Sequence, residues 1–221
     1  MKHIFLLILI CSTTSITSQS QIPIDLNKIK EFVEDSTSIS NYRSLVEEFN
    51  QNPSALDTNK GSLIYYGKLF GKYDLYRINF DELNFSELVF KKKYKQAIPK
   101  GEDLLKSDPV NLEILSKLLM CYSKTDNKGK EELTKVKVGL LITSILTHGD
   151  GLSDSATLKV ISVGDEYAMM GMLGISGMSR KSKMSGKSTV DTWKAKNSKG
   201  KRIEFFVEVL YNLQAEPKSN Q

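Results

Sequence analysis

Along the first two-thirds of the chain, apolar residues return at helical spacing. Tyr42, Leu45, Val46 and Phe49 recur at i, i+3, i+4 and i+7, an amphipathic stripe that Asn52-Pro53 brings to an end. Asp57 or Thr58 is placed to cap a segment running through "GSLIYYGKLF". The following "KYDLYRINF" has no helical period and reads as an ordered connector whose tyrosines pack against helices; helical signal resumes from Phe85. Tyr94, Ala97, Leu104 and Leu105 form a stripe that stops at Asp108-Pro109, and Leu112, Leu115, Leu118, Leu119 and Tyr122 form the next. Proline cannot continue the first helix but is tolerated near the start of the second. Pro99, inside the first stripe, predicts a kink or a late helix start. A further helix is expected from about Lys130 to Thr147, with Leu133, Val136, Leu140 and Leu141 on its apolar side.

After "HGDGLSD" (148–154) the period changes. "ATLKVISV" is a β-branched run and predicts a strand. Asp165 is placed to cap a short helix over "EYAMMGML", which Gly174 stops. Ile203, Phe205, Val207 and Val209 alternate with Glu204, Phe206 and Glu208, as in a half-buried strand. Its partner is "TVDTWKAK", joined through "NSKG", with Trp193 and Ala195 on one face. The prediction is an α+β fold: a mainly helical body, then a small C-terminal antiparallel sheet carrying one helix. The Asp108-Pro109 junction is similar to a tetratricopeptide helix pair. Only one and a half units are visible, whereas a stacked array needs about three repeats.

Composition alters this picture mostly at the N-terminus. The chain has 221 residues, 40% hydrophobic and 26% charged, enough for one domain with a real core. "MKHIFLLILICSTTSITSQSQ" has a lysine, a short apolar run from Ile4 to Cys11 and a small polar stretch, the layout of a secretory signal peptide. Cleavage is expected after Ser18, with Ser20 as the alternative. The run is well short of the roughly 20 apolar residues of a membrane span. The expectation is therefore a periplasmic or secreted protein, with residues 1–18 removed and 19–221 forming one domain. Within it, a helical part covers 22–148 and a strand–helix–hairpin part covers 155–213. A lipid anchor at Cys11 is not expected, because Ile10 and not a small residue precedes it. Cys121 is then the sole thiol; its neighbours Leu118, Leu119, Met120 and Tyr122 predict a buried, inert side chain.

The candidate chemistry concentrates in "HGDGLSD". As an EF-hand loop starting at Asp150 it fails, since positions 3, 6 and 12 fall on Leu152, Ser155 and Ile161. A multi-histidine zinc site is excluded because His148 is the sole histidine after cleavage. A Ser153–His148–Asp triad lacks the nucleophile-elbow pattern. The plain reading is a helix stop and turn: His148 at a helix C-terminus, Gly149 in the left-handed position, Asp150-Gly151 as a turn, and Ser153 or Asp154 starting the next element. "SGKST" at 185–189 ends like a P-loop, but Lys181 stands where the first glycine is required. Met169, Met170, Met172, Met178 and Met184 suit copper(I) in kind, yet short-helix packing explains them more simply. Arg180, Lys181, Lys183, Lys187, Lys194, Lys196, Lys199, Lys201 and Arg202 face a single Asp191. With Trp193 as the segment's one aromatic, base-stacking platforms are missing, and lysines also guard an exposed sheet edge.

"IYYGKLF", the Asp108-Pro109 junction, "GDGLSDSATLKVISVGDEYAMMGMLG" and "RIEFFVEV" occur in this order. Together they resemble the domain-of-unknown-function family numbered 4919, found in secreted proteins of the Bacteroidetes lineage. The resemblance implies an extracytoplasmic α+β domain and carries no catalytic residues; the basic stretch 180–202 departs from it. The reading that follows is a non-catalytic interaction or accessory module, without cofactor, metal or catalytic residues. It would bind a protein or envelope component and not nucleic acid. Candidate binding residues are Tyr65, Tyr66, Tyr73, Tyr76, His148, Asp150, Asp154 and Glu166. The competing reading is an envelope hydrolase or metal-dependent enzyme built on His148, Asp150, Ser153, Asp154 and Glu166.

Overall fold

Side-chain caps and apolar stripes set the helices. In the computed structural model, which describes residues 22–35, 42–71 and 79–210, Asp25 accepts from the Lys28 N–H and starts α1 (Leu26–Glu34). Helix α2 (Tyr42–Gln51) buries the predicted Leu45, Val46 and Phe49. Asp57 caps α3 (Thr58–Gly67), which tightens into a 3-10 turn over Lys68–Phe70. Asn79 accepts from the Asp81 and Glu82 amides, so α4 (Phe80–Phe90) begins ahead of Phe85, where the apolar period first shows. Helix α5 (Tyr94–Ser107) starts well before Pro99 and passes through it, so the late start does not occur. Then follow α6 (Leu112–Lys124) and α7 (Lys128–Leu146).

Helix α7 turns inward a face that matches the predicted stripe only in part: Leu141 is buried and Leu140 packs against the main core. Thr134, Val138, Leu141, Ser144 and Ile145 are buried, whereas Leu133 and Val136 are 43% and 38% exposed. Helix α3 approaches closely here: a Cβ at Gly61 would stand 2.1 Å from Ser144 Oγ and 3.1 Å from Leu140 Cδ1. Ser144 satisfies its hydroxyl on the Leu140 carbonyl at 2.8 Å. The main core joins α1, α2, α3, α7 and the sheet. A second core holds α4, α5 and α6 together around Phe85, Ala97, Leu118 and Cys121, with Leu105 packed against both. Burial pushes the Cys121 thiol up to about 11, which keeps it unreactive.

The sheet has the order β1-β4-β3-β2, formed by β1 (Leu158–Val160), β2 (Ser176–Ser185), β3 (Ser188–Lys196) and β4 (Arg202–Val209). The sheet is mixed, not purely antiparallel as the sequence suggested. Helix α8 (Val163–Met172) follows β1, and β4 returns beside β1 in the same direction, with Leu158 opposite Val207. The hairpin β3–β4 is as predicted, with Trp193 opposite Phe205 and Ala195 opposite Ile203. Strand β2 is an addition. Neither face of "SGMSRKSKMS" is buried, so it carries none of the alternation that reveals a strand. "SGKST" is the tight turn between β2 and β3, with Gly186 at φ 61°.

Ser162, not Asp165, caps α8: the Asp165 N–H donates to Ser162 Oγ at 3.0 Å. Gly174 ends the helix at φ 67°, with the Ile175 amide bonded back to the Met170 carbonyl. The "HGDGLSD" loop is a structural joint. A Cβ on Gly149 would lie 2.1 Å from the Thr157 carbonyl oxygen, so the residue permits close approach and is not in the left-handed region. Gly151 does have positive φ, 74°, and a Cβ there would meet the Phe205 ring at 2.4 Å. Its amide donates to the Ala156 carbonyl and its carbonyl accepts from the Phe206 amide, both at 2.8 Å. Gly151→Ala should therefore cost about 2 kcal/mol or more, from left-handed strain and the displaced ring. Urea unfolding checks this, and a loss under 0.5 kcal/mol, the usual scatter for an exposed site, would contradict it.

Candidate functional site

The polar residues singled out from sequence fall into three groups. In the first, His148 Nδ1 lies 2.6 Å from the Ile22 carbonyl oxygen, so that nitrogen carries the proton. Nε2 then accepts from the Ser62 hydroxyl at 2.9 Å. Tyr66 packs edge-on against the imidazole at 5.4 Å. Burial holds the His148 pKa below its ordinary value, with Lys159 adding to the effect and the Ile22 carbonyl opposing it. The imidazole is thus neutral, not a cation serving a helix C-terminus. A serine, an imidazole and an acceptor are present, but Ser62 is buried in mid-helix α3. The Ser62–His148 pair fastens the chain at Ile22 to the helical body.

The rest of the loop does not join it. Asp150 accepts from the Leu152 amide at 2.9 Å, and Ser153 is paired with Ser155 at 3.1 Å. Asp154 begins a single 3-10 turn. Among the described residues no set of three or more His, Cys, Asp or Glu side chains is placed to hold a metal ion. The methionines separate as well: Met169 and Met170 are core residues, whereas Met172, Met178 and Met184 are exposed.

The second group is a buried polar spine through the helical body. Tyr65 and Tyr66, read from sequence as part of a binding surface, are fully buried. Tyr73 and Tyr76 lie outside the described residues. The Tyr65 hydroxyl donates to Asp165 Oδ2 at 3.0 Å and accepts from the Ile161 amide at 3.1 Å. Tyr66 donates to the Lys159 carbonyl. Lys68, only 3% exposed, donates to Asp108 Oδ2 at 2.7 Å, and Asn111 donates to the same oxygen. Burial raises the Asp165 carboxyl to about 6, against the pull of Lys68 and the bonds from Tyr65 and Ser162. Sequence spacing hides these pairings, since Tyr65 and Asp165 are 100 residues apart.

The third group lies between α8 and the sheet. Glu166 is fully buried, and its Oε1 accepts from the Trp193 indole N–H at 2.6 Å. Asp191, 2% exposed, accepts from Arg180 at 3.2 Å, and the Arg180 guanidinium sits 5.4 Å over the Trp193 ring. Glu166 Oε2 and Asp191 Oδ1 are buried and receive no hydrogen bond, although the Arg180 guanidinium lies 3.7 Å from Glu166 Oε2. A proton on Glu166 would let its carboxyl donate to Asp191. Burial raises the Glu166 carboxyl to about 7; Asp191 adds to this, while the Trp193 bond and Arg180 oppose it.

These interior contacts clamp the hairpin and leave its other face outward. Strand alternation and register put Lys181 and Lys183 of β2, Lys194 and Lys196 of β3, Arg202 of β4 and Lys159 of β1 on that outer face. Only Glu204 and Glu208 oppose them there. Lys196 and Arg202 stand directly opposite each other, a like-charge pair that weakens the sheet. At the end of the hairpin, Met178, Lys194, Ala195, Arg202, Ile203 and Glu204 line an open depression of about 360 Å³.

Fold and contacts together define an α+β protein of helices and one mixed sheet, with a strongly basic outer sheet face. The chain belongs to the family described as "Domain of unknown function (DUF4919)", whose model matches residues 27–215. Comparison with curated proteins and with solved structures finds no match. Among the described residues no helix is long and apolar enough to cross a membrane.

Both raised carboxyls hold protons in the fold that the unfolded chain has released above about pH 4. On their account stability is greatest in mild acid and falls as pH rises through 6 to 7. His148 works the other way, since a depressed histidine loses stability as pH falls below about 6.5. Glu166→Gln keeps both hydrogen bonds without a titrating proton. It should raise stability at pH 8 by about 1 kcal/mol, the equivalent of roughly one pKa unit, and flatten the urea midpoint between pH 5 and 8. A variant less stable than wild type at pH 8 would refute the shared proton. Lys68→Met removes one partner of a buried pair and should cost about 3 kcal/mol in the same assay; a neutral result would show Asp108 to be solvated.

Proposed function

We propose that the protein is an exported, non-catalytic interaction module that binds an acidic envelope or protein partner through the outer face of its sheet. The observation that carries this reading is the charge distribution of that face: Lys159, Lys181, Lys183, Lys194, Lys196 and Arg202 against Glu204 and Glu208. A sheet gains nothing in stability from placing Lys196 opposite Arg202. A face so charged attracts and orients anionic partners at long range. The groups with chemical potential are engaged inside: His148 with Ser62, Tyr65 with Asp165, Lys68 with Asp108, Glu166 with Trp193. Export follows from the signal-peptide layout of residues 1–18, and the α5–α6 hairpin at Asp108-Pro109 is read as tetratricopeptide-like.

A photo-crosslinking amino acid at Thr192, on the outer face between Lys181 and Phe206, tests the reading in cells that make the protein. A discrete adduct is expected that disappears when Lys181, Lys183 and Lys194 are each changed to Glu. Residues 1–25 fused to alkaline phosphatase should give active enzyme, which requires export. An adduct indifferent to the three substitutions, or an inactive fusion, would overturn the respective half of the proposal.

A further inference from the structure

The basic face ends at an open edge. Strand β2 is the outermost strand, ten residues long, and all ten are exposed. Its β3 side is paired from Ser176–Lys196 to Ser185–Ser188, so alternate N–H and C=O groups on its other side project outward. Arg180, Lys181 and Lys183 lie along this edge. Pairing with β2 of a second copy would set these cations against one another, which is unfavourable. The same cations favour a strand that carries carboxylates at alternate positions. A bulge between Gly177 and Ser179 places Met178 beside the depression whose floor includes Ala195 and Ile203. Met178 and Met184 are 55% and 60% exposed, and methionine adapts its shape to an incoming apolar side chain.

We infer that the partner of this module docks as an extended acidic segment of another protein, added as a fifth strand to the outer edge of β2. Main-chain hydrogen bonds hold the segment, its carboxylates meet Lys181 and Lys183, and its alternate apolar residues lie along Met178 and Met184. This rests on the interaction reading above and narrows it to one edge and one backbone conformation. The clamp beneath keeps the edge rigid: Arg180 is tied to Asp191 from below at 3.2 Å, and Trp193 to Glu166 at 2.6 Å.

The test uses the purified mature chain and fluorescein-labelled peptides as long as β2. One alternates Glu and Val; a second has the same sequence with alternate amides N-methylated; a third replaces Glu by Lys. Anisotropy is read in low and high salt, with Trp193 fluorescence as a second signal, since it is the chain's one tryptophan. The Glu–Val peptide should bind at least about tenfold more tightly than its N-methylated form, a difference of about 1.4 kcal/mol. The Lys–Val peptide should not bind. Lys181→Glu with Lys183→Glu should abolish binding while the thermal melt stays unchanged, because both side chains are exposed. Equal binding of the methylated and unmethylated peptides would overturn strand addition in favour of a plain polyanion surface. So would binding confined to vesicles containing phosphatidylglycerol. If no peptide binds while the lysine-dependent adduct at Thr192 persists, strand addition fails and the interaction reading stands.

Discussion

Two adjacent carboxyl groups in α8 hold the two halves of this protein together. Asp165 turns into the helical body and accepts from Tyr65; Glu166 turns toward the sheet and accepts from Trp193. Consecutive helical positions point about 100° apart, so a single short helix can serve both sides. Each carboxyl sits in a low-dielectric interior, which favours its protonated form and makes every hydrogen bond to it matter. A short helix with mainly apolar packing would slide more easily. One fixed by two directional bonds cannot.

The same logic extends outward from α8. Lys68 fixes the end of α3 to the α5–α6 junction through Asp108, and Tyr66 fixes it to β1 through the Lys159 carbonyl. Gly151 fits the α7–β1 joint against Phe205 and pairs with the Phe206 amide. The segments that carry the family resemblance therefore meet in space. "IYYGKLF", Asp108-Pro109, the two glycines of "GDGLSD", "SVGDEY" and "RIEFFVEV" are the parts of one polar and steric joint.

The sheet then has two unlike faces. Inside, Asp191, Trp193, Ala195, Phe205, Val207 and Val209 are buried. Outside, lysines dominate, and β2 is exposed on both sides. Rigidity from the inner face and charge on the outer face are complementary properties for a binding surface, because an ordered strand loses little entropy when a partner pairs with it.

Much of the architecture was legible in the residue pattern: the α2 stripe, the break at Asp108-Pro109, the β3–β4 hairpin, the stop at Gly174 and the burial of Cys121. These depend on local periodicity and on turn and cap chemistry, which act within a few residues. Strand β2 was hidden because a strand exposed on both faces has no alternation to display. The inward face of α7 was only partly visible because its packing against α3, where Gly61 meets Ser144 and Leu140, is set by a distant segment. The candidate site shifted for the same reason. Tyr65, Tyr66, His148 and Glu166 are polar tips on apolar bodies, and sequence cannot say whether their partners are solvent or residues 27 to 100 positions away. The sequence by itself determined the α+β class, the order of the elements from α2 onward apart from β2, and the excess of lysine between 180 and 202. Only the tertiary structure decided that β1 and β4 run parallel, which carboxyls are buried together, and which way the lysines face. Those outcomes depend on contacts between distant segments, and burial, not local preference, sets their energy.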